Sequence, residues 1–333
     1  METLENRKKD HIELAFKSQT LPPEVDERFH YEPMLNAHPA EGLKPFTILG
    51  KEHRVPLWVS SMTGGTKLAG TINRNLARAC NEFGMGMGLG SCRIIMEDDT
   101  YFDDFDVRDL IGEHLPLWAN LGIAQVEALV KQKQAGKASE LVERLRADGL
   151  IIHVNPMQEW FQPEGDIFLT PPLETIQRFM EIFPHPLIVK EVGQGMGPES
   201  LRGLLQLPLQ AIEFAAFGGT NFARVELHRD EGSSGELFEP LSRVGENAYD
   251  MLDYVNTVAE NQQVSCREVI ISGGIKSFLD GYYLIRKSKL PALYGMASTF
   301  LKYAREDYET LRNFMKAQIR GLEMAYAYLT IKE

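Results

Sequence analysis

The sequence predicts an α/β protein folded as one (β/α)8 TIM barrel, with an N-terminal leader and long helices at the C-terminal end. Three observations carry that expectation. Eight short apolar runs, of the kind that form strands buried on both faces, alternate with helix-like stretches. The residues just beyond those runs are small or polar, as they are where a barrel keeps its working face. The 333 residues exceed the roughly 250 of a typical barrel by enough for a leader. From the alternation alone, a doubly wound sheet is the runner-up.

The strands are expected at 57–61, 85–91, 115–121, 150–155, 187–192, 211–216, 269–273 and 292–297. The first helix is signalled by Leu68, Ile72, Leu76, Cys80 and Phe83, which share one face at spacings of three and four. Further helices are expected near 125–133, 173–182, 198–205 and 277–287, and Pro198 suits the first turn of its helix. Residues 299–328 read as one or two long helices. Residues 1–56 read as a leader closing on the barrel, with helix character near 11–17 and then a proline-rich loop. Residues 57–333 read as the barrel, the whole forming a single domain. Residues 226–246 read as a long polar loop, the type that forms lids or interfaces or stays disordered.

Composition narrows the function. Apolar residues make up 44% and charged residues 25%, ordinary for a soluble globular protein. A net charge of −12 repels polyanions, so nucleic acid is not an expected partner. Cys80, Cys92 and Cys266 show no CxxC spacing, which fits a reducing compartment rather than a disulfide framework. The N-terminus is charged and lacks the apolar core of a secretory signal, and no run approaches the roughly 18 apolar residues of a membrane span. The expected location is the cytoplasm, with no membrane partner.

Several clusters could carry chemistry. Glycine occupies every second position from Gly84 to Gly90, which strips one face of a strand. Either a flat ring system or other internal groups could pack there, and the pattern is not a dinucleotide fingerprint because it opens no helix. Ser272-Gly273-Gly274 and Gly295-Met296-Ala297 follow the seventh and eighth strands, where barrels bind phosphate through close backbone N–H groups. Two tight turns are the plain alternative. Lys190 ends an apolar strand, where it can neutralise an anionic ring or phosphate, or pair with Glu191. His153 and Asn155 share a face at the end of strand four, with Gln158 and Glu159 beyond Pro156. A carboxylate beside an amide at a barrel mouth suits one Mg²⁺ contact and one substrate contact. Arg7-Lys8-Lys9 form a basic cluster that reads either as a solvated helix face or as a diphosphate grip.

Taken in chain order, NRKKDHI, SSMTGGT, GLGSCR, ANLG, HVNPMQE, VKEVGQGM, GGTNFARVE and SGGI make the sequence resemble the type II isopentenyl-diphosphate isomerases over nearly its whole length. The resemblance implies a barrel holding FMN, a Mg²⁺ ion and an isoprenoid diphosphate, with NADPH reducing the flavin. The implied reaction interconverts isopentenyl and dimethylallyl diphosphate. It further implies FMN contacts from Met62, Thr63, Gly64, Ser91, Asn120, Lys190 and Thr220, with Gly273, Gly274, Gly295 and Met296 holding the FMN phosphate. Arg7, Lys8, Ser91, Cys92, Arg93 and Gln158 are the implied substrate contacts, and His153 and Asn155 position the diphosphate or its metal. Glu159 is the implied Mg²⁺ ligand, and Gln158 stands near the reacting carbons as catalytic orienter or proton relay. A homo-oligomer, tetramer or larger, is also implied. The run Glu213-Phe214-Ala215-Ala216-Phe217 departs from the more polar segment expected before Gly218-Gly219-Thr220. Two rival readings are an FMN hydroxyacid oxidase or dehydrogenase, drawing on Arg224 and the weaker candidate His228, and a flavin- or phosphate-binding barrel without turnover.

Overall fold

The computed structural model describes residues 4–40, 42–61, 64–229 and 234–332. Met62 and Thr63, both expected at the flavin, lie outside the described residues. Eight parallel strands close into a barrel: β1 (Leu57–Val59), β2 (Gly86–Gly88), β3 (Leu117–Gly122), β4 (Gly149–His153), β5 (Leu187–Lys190), β6 (Ala211–Glu213), β7 (Val269–Ser272) and β8 (Ala292–Met296). Each falls inside or beside its expected run, and the closure of β8 on β1 removes the doubly wound alternative.

Side chains alternate across the barrel wall with the two-residue period of a strand. One set, including Leu57, Val59, Leu121, Ile152, Val189, Ile212 and Ile271, packs with the surrounding helices into the main core. The other set, Trp58, Trp118, Ile151, Ile188, Ala211, Ile270 and Leu293, forms a separate apolar cluster inside the barrel. The alternate glycines of β2 serve that inner cluster. A Cβ on Gly86 would lie 2.6 Å from the Trp58 ring, and one on Gly88 would lie 2.5 Å from Ile151 Cδ1 and Ser61 Oγ. The ring packed against Gly86 is an internal tryptophan, so at Gly86 and Gly88 the bare face serves internal packing.

The floor of the barrel is sealed from below. Phe46–Ile48 and Lys51–His53 form a hairpin turned by Leu49 and Gly50, both at positive φ, as a two-residue hairpin turn requires. Leucine there is strained, but its side chain is buried with Ile48 in the inner cluster, and its N–H donates to Glu268 Oε2 at 2.9 Å. Burial of a large apolar group outweighs about 1 kcal/mol of left-handed backbone strain.

The helix Lys67–Phe83 is capped by the Thr66 hydroxyl, which accepts from Ala69 N, and ends on Gly84 in the left-handed conformation. Its buried stripe runs through Ala69, Ile72, Leu76, Ala79 and Cys80. Leu68, expected on that stripe, is instead 61% exposed, because Ala69 takes the inward position of the first turn. The expected loop at 226–246 is largely helical: Phe222–Arg229 runs into it, and Ser234–Phe238 and Glu239–Arg243 follow. Its polar residues cover an outer face rather than mark an irregular chain. At the C-terminal end, Ser298–Ala304 and Tyr308–Tyr328 are the two expected helices, and Leu329–Ile331 pairs antiparallel with Phe29–Tyr31. Among the described residues no helix is long and apolar enough to cross a membrane.

Candidate active site

One step above the inner apolar cluster, the barrel lining changes character. Ser60, Asn120, His153, Lys190, Glu213, Ser272 and Gly295 each stand two residues beyond a member of that cluster, so all share its inward direction. Strand register aligns them side by side: His153 opposite Lys190, Lys190 opposite Glu213, and Ser272 opposite Gly295. Seven strands thus deliver small or polar groups to one layer at the mouth.

A cavity of about 320 Å³ opens on this layer. Lys190, Glu213, Ser60 and Ser61 line its inner part, and Gly218, Gly219 and Thr220 its side. Ser272, Gly273 and Gly274, with Gly295 to Thr299, form its far end. The glycines are required by close approach. A Cβ on Gly273 would sit 2.1 Å from Ala216 O, and one on Gly218 would sit 3.1 Å from Gly274 Cα, each at positive φ. Three buried polar atoms that line the cavity have no protein partner among the described residues: Ser60 Oγ, Ser61 Oγ and Glu213 Oε2. A wall of bare backbone with unspent polar atoms fits a polar, phosphate-bearing ligand.

Lys190 is 5% exposed, and its Nζ donates to Glu191 O at 2.8 Å. Burial pushes its pKa down, and the carboxylates of Glu213 and Glu191 oppose that shift. Glu191 is committed elsewhere: its Oε2 accepts from the N–H groups of Gly193, Gln194 and Gly195. Burial, with Lys190 alongside, holds His153 down at about 3, so it is neutral at physiological pH. Its Nδ1 donates to Asn120 Oδ1 at 2.8 Å, and Asn120 Nδ2 donates to Leu89 O at 3.0 Å.

A second polar network follows β4. Asn155 Nδ2 donates to Gln158 Oε1 at 3.1 Å and to Glu159 Oε1 at 2.9 Å. Glu159 Oε2 accepts from Asp166 N at 2.7 Å, and Arg93 Nη1 reaches Asp166 Oδ2 at 2.7 Å. At the other end, Gln158 Nε2 donates to Glu226 Oε1 at 3.3 Å, and Arg229 Nη1 holds Glu226 Oε2 at 2.6 Å. Asn155 Oδ1 is buried without a partner among the described residues.

The structure therefore gathers Lys190, Thr220, Gly273, Gly274, Gly295 and Met296 around one cavity. It links Arg93, Asn155, Gln158 and Glu159 in one network. His153 and Asn120 bond each other in the mouth layer. Gly64 lies against Phe105, where a Cβ would meet the ring at 2.2 Å. Ser91 is exposed. Cys92 is turned inward, its thiol bonded to Gly90 O and pushed by burial up to about 12, and its N–H donates to Asn120 O. Arg7 and Lys8 lie on the exposed helix Leu4–Ala15, apart from the cavity lining. No cluster of three or more His, Cys, Asp or Glu side chains suited to a metal occurs among the described residues.

Sequence reasoning missed Glu226 and undervalued Glu213. Glu226 was hidden at the edge of a segment read as loop, and the signal was its three-residue spacing to Arg229 on a helix. Glu213 was visible as the charged member of an apolar strand end. Arg224 and His228, on which the hydroxyacid-oxidase reading drew, are exposed on the helix Phe222–Arg229 and do not line the cavity.

No protein-family model matches the chain. Among curated proteins, the isopentenyl-diphosphate delta-isomerase of Rickettsia felis is 34% identical over 279 residues, covering 84% of this chain and 78% of the relative. The isopentenyl-diphosphate delta-isomerase of a Synechococcus species is 35% identical over 332 residues, covering 97% and 91%. Among solved structures, a mandelate oxidase mutant with (S)-mandelic acid matches at TM-score 0.58 and 14% identity, covering 92% of this chain and 87% of that one. A flavocytochrome b2 mutant with pyruvate bound matches at TM-score 0.59 and 14% identity, covering 98% and 82%. At that identity the structures share the barrel fold alone.

Proposed function

The chain belongs to the isopentenyl-diphosphate delta-isomerase family, and on that premise we propose that it interconverts isopentenyl and dimethylallyl diphosphate with a reduced FMN in the barrel mouth. The observation that carries this reading is the glycine-walled cavity, with buried Lys190 at its inner end and the Ser272–Gly274 and Gly295–Thr299 backbone at the other. Its unpartnered Ser60, Ser61 and Glu213 oxygens suit the polar edge of a flavin, and the glycine turns suit its phosphate.

The reaction moves a double bond by adding a proton at one carbon and removing one at another, with no net transfer of electrons. Bound reduced FMN supplies an electron-rich ring beside the developing positive charge. The chain's residues do the rest. Lys190 presents a cation to the flavin. Gln158 is fixed at both ends, by Asn155 and by Glu226, so its amide keeps one orientation toward the substrate. An amide is not a base, and Glu226 behind it is the group in that chain able to take or return a proton. Neutral His153 binds the diphosphate side without adding charge. Glu159, bonded by Asn155 Nδ2, is the carboxylate that would hold a Mg²⁺ ion, which would supply positive charge to neutralise the diphosphate. NADPH serves only to reduce the flavin, and the working form is a homo-oligomer.

The test is the absorption spectrum of the purified protein, followed by an isomerase assay with dithionite-reduced FMN and Mg²⁺. The reading expects a stoichiometric FMN spectrum and formation of dimethylallyl diphosphate. Stoichiometric FAD in its place, or no product under reduced conditions, overturns it.

A further inference from the structure

Glu213 is fully buried at the end of β6, in register with Lys190 on β5 and with Ile270 on β7. Its Oε1 accepts from Ser272 Oγ at 3.2 Å, and the same Ser272 oxygen accepts from Ala215 N at 2.9 Å. Its Oε2 is buried with no partner among the described residues, and Glu213 is among the residues lining the cavity that Lys190 also lines. Burying a carboxylate oxygen without a hydrogen bond is costly unless a charge nearby compensates it. The charged and titratable groups around Lys190 are His153 on β4, Glu213 on β6 and Glu191 next in its own chain. His153 is neutral, and Glu191 Oε2 is saturated by three backbone N–H groups. Glu213 keeps a buried oxygen without a partner among the described residues, and both it and Lys190 line the cavity.

We propose that Glu213 is a positioning residue: its carboxylate is the counter-charge that keeps the Lys190 side chain a cation at the cavity wall, ready for an anionic ring. Ser272 fixes the carboxylate by one oxygen and leaves the other without a partner among the described residues. The device joins the strand that carries the phosphate-binding turn to the strand that carries the cation. A lysine buried without such a partner would shed its proton and meet a reduced flavin as a neutral amine.

The flavin part of this proposal rests on the function proposed above, so the experiment separates the two. FMN-free protein with lysine labelled by ¹³C at Cε is titrated by NMR, the Lys190 signal being identified by its loss in Lys190→Arg. In the parent protein the Lys190 midpoint should lie below that of an ordinary lysine, because burial lowers it and the nearby carboxylates only partly oppose the shift. In Glu213→Gln its midpoint should fall by about one pH unit or more, as loss of an adjacent opposite charge predicts. Glu213→Asp should fall between the two. An unchanged or raised midpoint in Glu213→Gln overturns the proposal. Where Glu213→Gln fails to fold, Glu213→Asp decides, and a midpoint there no lower than the parent's overturns the proposal.

Binding of oxidised and reduced FMN to the same proteins, followed by flavin fluorescence and equilibrium dialysis under nitrogen, gives the second readout. Above the shifted midpoint, Glu213→Gln should lose roughly tenfold in affinity for reduced FMN relative to oxidised FMN for each pH unit. If Glu213 were merely an anion near the cavity, its removal would tighten reduced FMN instead, and that sign overturns the proposal. Failure of the parent to bind FMN at all would refute the flavin reading and leave the lysine titration to judge Glu213.

Discussion

Asn155 and Glu159 differ in how much of their bonding capacity the protein uses. Asn155 has a buried oxygen without a partner among the described residues, whereas both Glu159 oxygens already accept protein hydrogen bonds, from Asn155 Nδ2 and Asp166 N. A glutamine at 159 keeps one acceptor and the shape but loses the charge that a hard cation requires. Glu159→Gln should therefore raise the Mg²⁺ concentration for half-maximal activity at least about tenfold while FMN affinity changes little, because a charge-assisted contact is worth roughly 1.5–3 kcal/mol. Equal losses of metal response and FMN binding would show that Glu159 is structural. Two histidines set the pH response of stability. Burial holds His53 at about 4 and His153 at about 3, against about 6.5 for an exposed imidazole. As pH falls through about 6.5, the unfolded chain takes up protons that the folded chain refuses, so stability declines with falling pH. Each histidine contributes at most about 1.4 kcal/mol per pH unit, and the window from roughly pH 6.5 down to 4.5 lies above ordinary carboxylate titration. Urea unfolding across that window should show the decline, and His53→Asn should reduce its slope. An unchanged slope in His53→Asn would contradict the buried neutral state of that ring.

At the scale of elements, β2 shows what a sequence can and cannot disclose. Gly86 and Gly88 announce a strand with a bare face, and that much was legible. What fills the face depends on a tertiary contact, because Trp58 belongs to β1 and nothing in the local pattern points to it. Gly86→Ala should cost about 1–3 kcal/mol by forcing a Cβ against the indole, as overpacking does elsewhere. Trp58→Phe, which shrinks the ring, should lower the cost of the added methyl when the two are combined. Additive losses by denaturant unfolding would mean the two groups do not meet. The eight strands were legible for a related reason: a strand buried on both faces must be apolar along its length, and turn residues must end it. The helix Gly136–Arg144 was not, since it buries only Ala138, Leu141 and Val142, and the helix Ala248–Asn261 went unread although Ala248, Met251, Leu252, Val255 and Val258 form a helical stripe. The mouth layer was half legible. Gly273, Gly274, Gly295 and Lys190 stood out at strand ends, but the register that sets Glu213 beside Lys190 exists only once the barrel closes.

The whole molecule carries a net charge of −12, which repels a diphosphate ester until local cations overcome it. Lys190 is committed to the cavity floor, and Arg93 and Arg229 are paired with Asp166 and Glu226. The leader brings further positive charge: Arg7, Lys8 and Lys9 on the helix Leu4–Ala15. That helix is exposed along residues 6–15, and Ile12, Leu14 and Phe16 are bare to solvent with it. Its chain is tied down at Arg28, which bonds Asp280 and Tyr249 beside the helix Phe278–Lys287 that follows the Ser272–Gly274 turn. The segment between spans residues 16–27, enough to reach roughly 40 Å when extended. The tether thus starts at the mouth and is long enough to swing the basic helix over a mouth. If it closes on bound diphosphate, Arg7→Ala should raise KM and lower kcat/KM roughly tenfold to a hundredfold, the value of one charge-assisted phosphate contact. FMN affinity should stay the same, because Arg7 is no part of the cavity wall. An arginine that merely sits in solvent would cost about 0–1 kcal/mol. Limited proteolysis adds a readout that kinetics alone lacks: substrate should protect the leader of the parent protein and leave that of Arg7→Ala as susceptible as before, since ordering and binding are coupled. Unchanged kinetics in Arg7→Ala and Lys8→Ala, with no substrate-dependent protection, would make the leader a solvated arm, and the diphosphate would then have to be held by the β4 network alone.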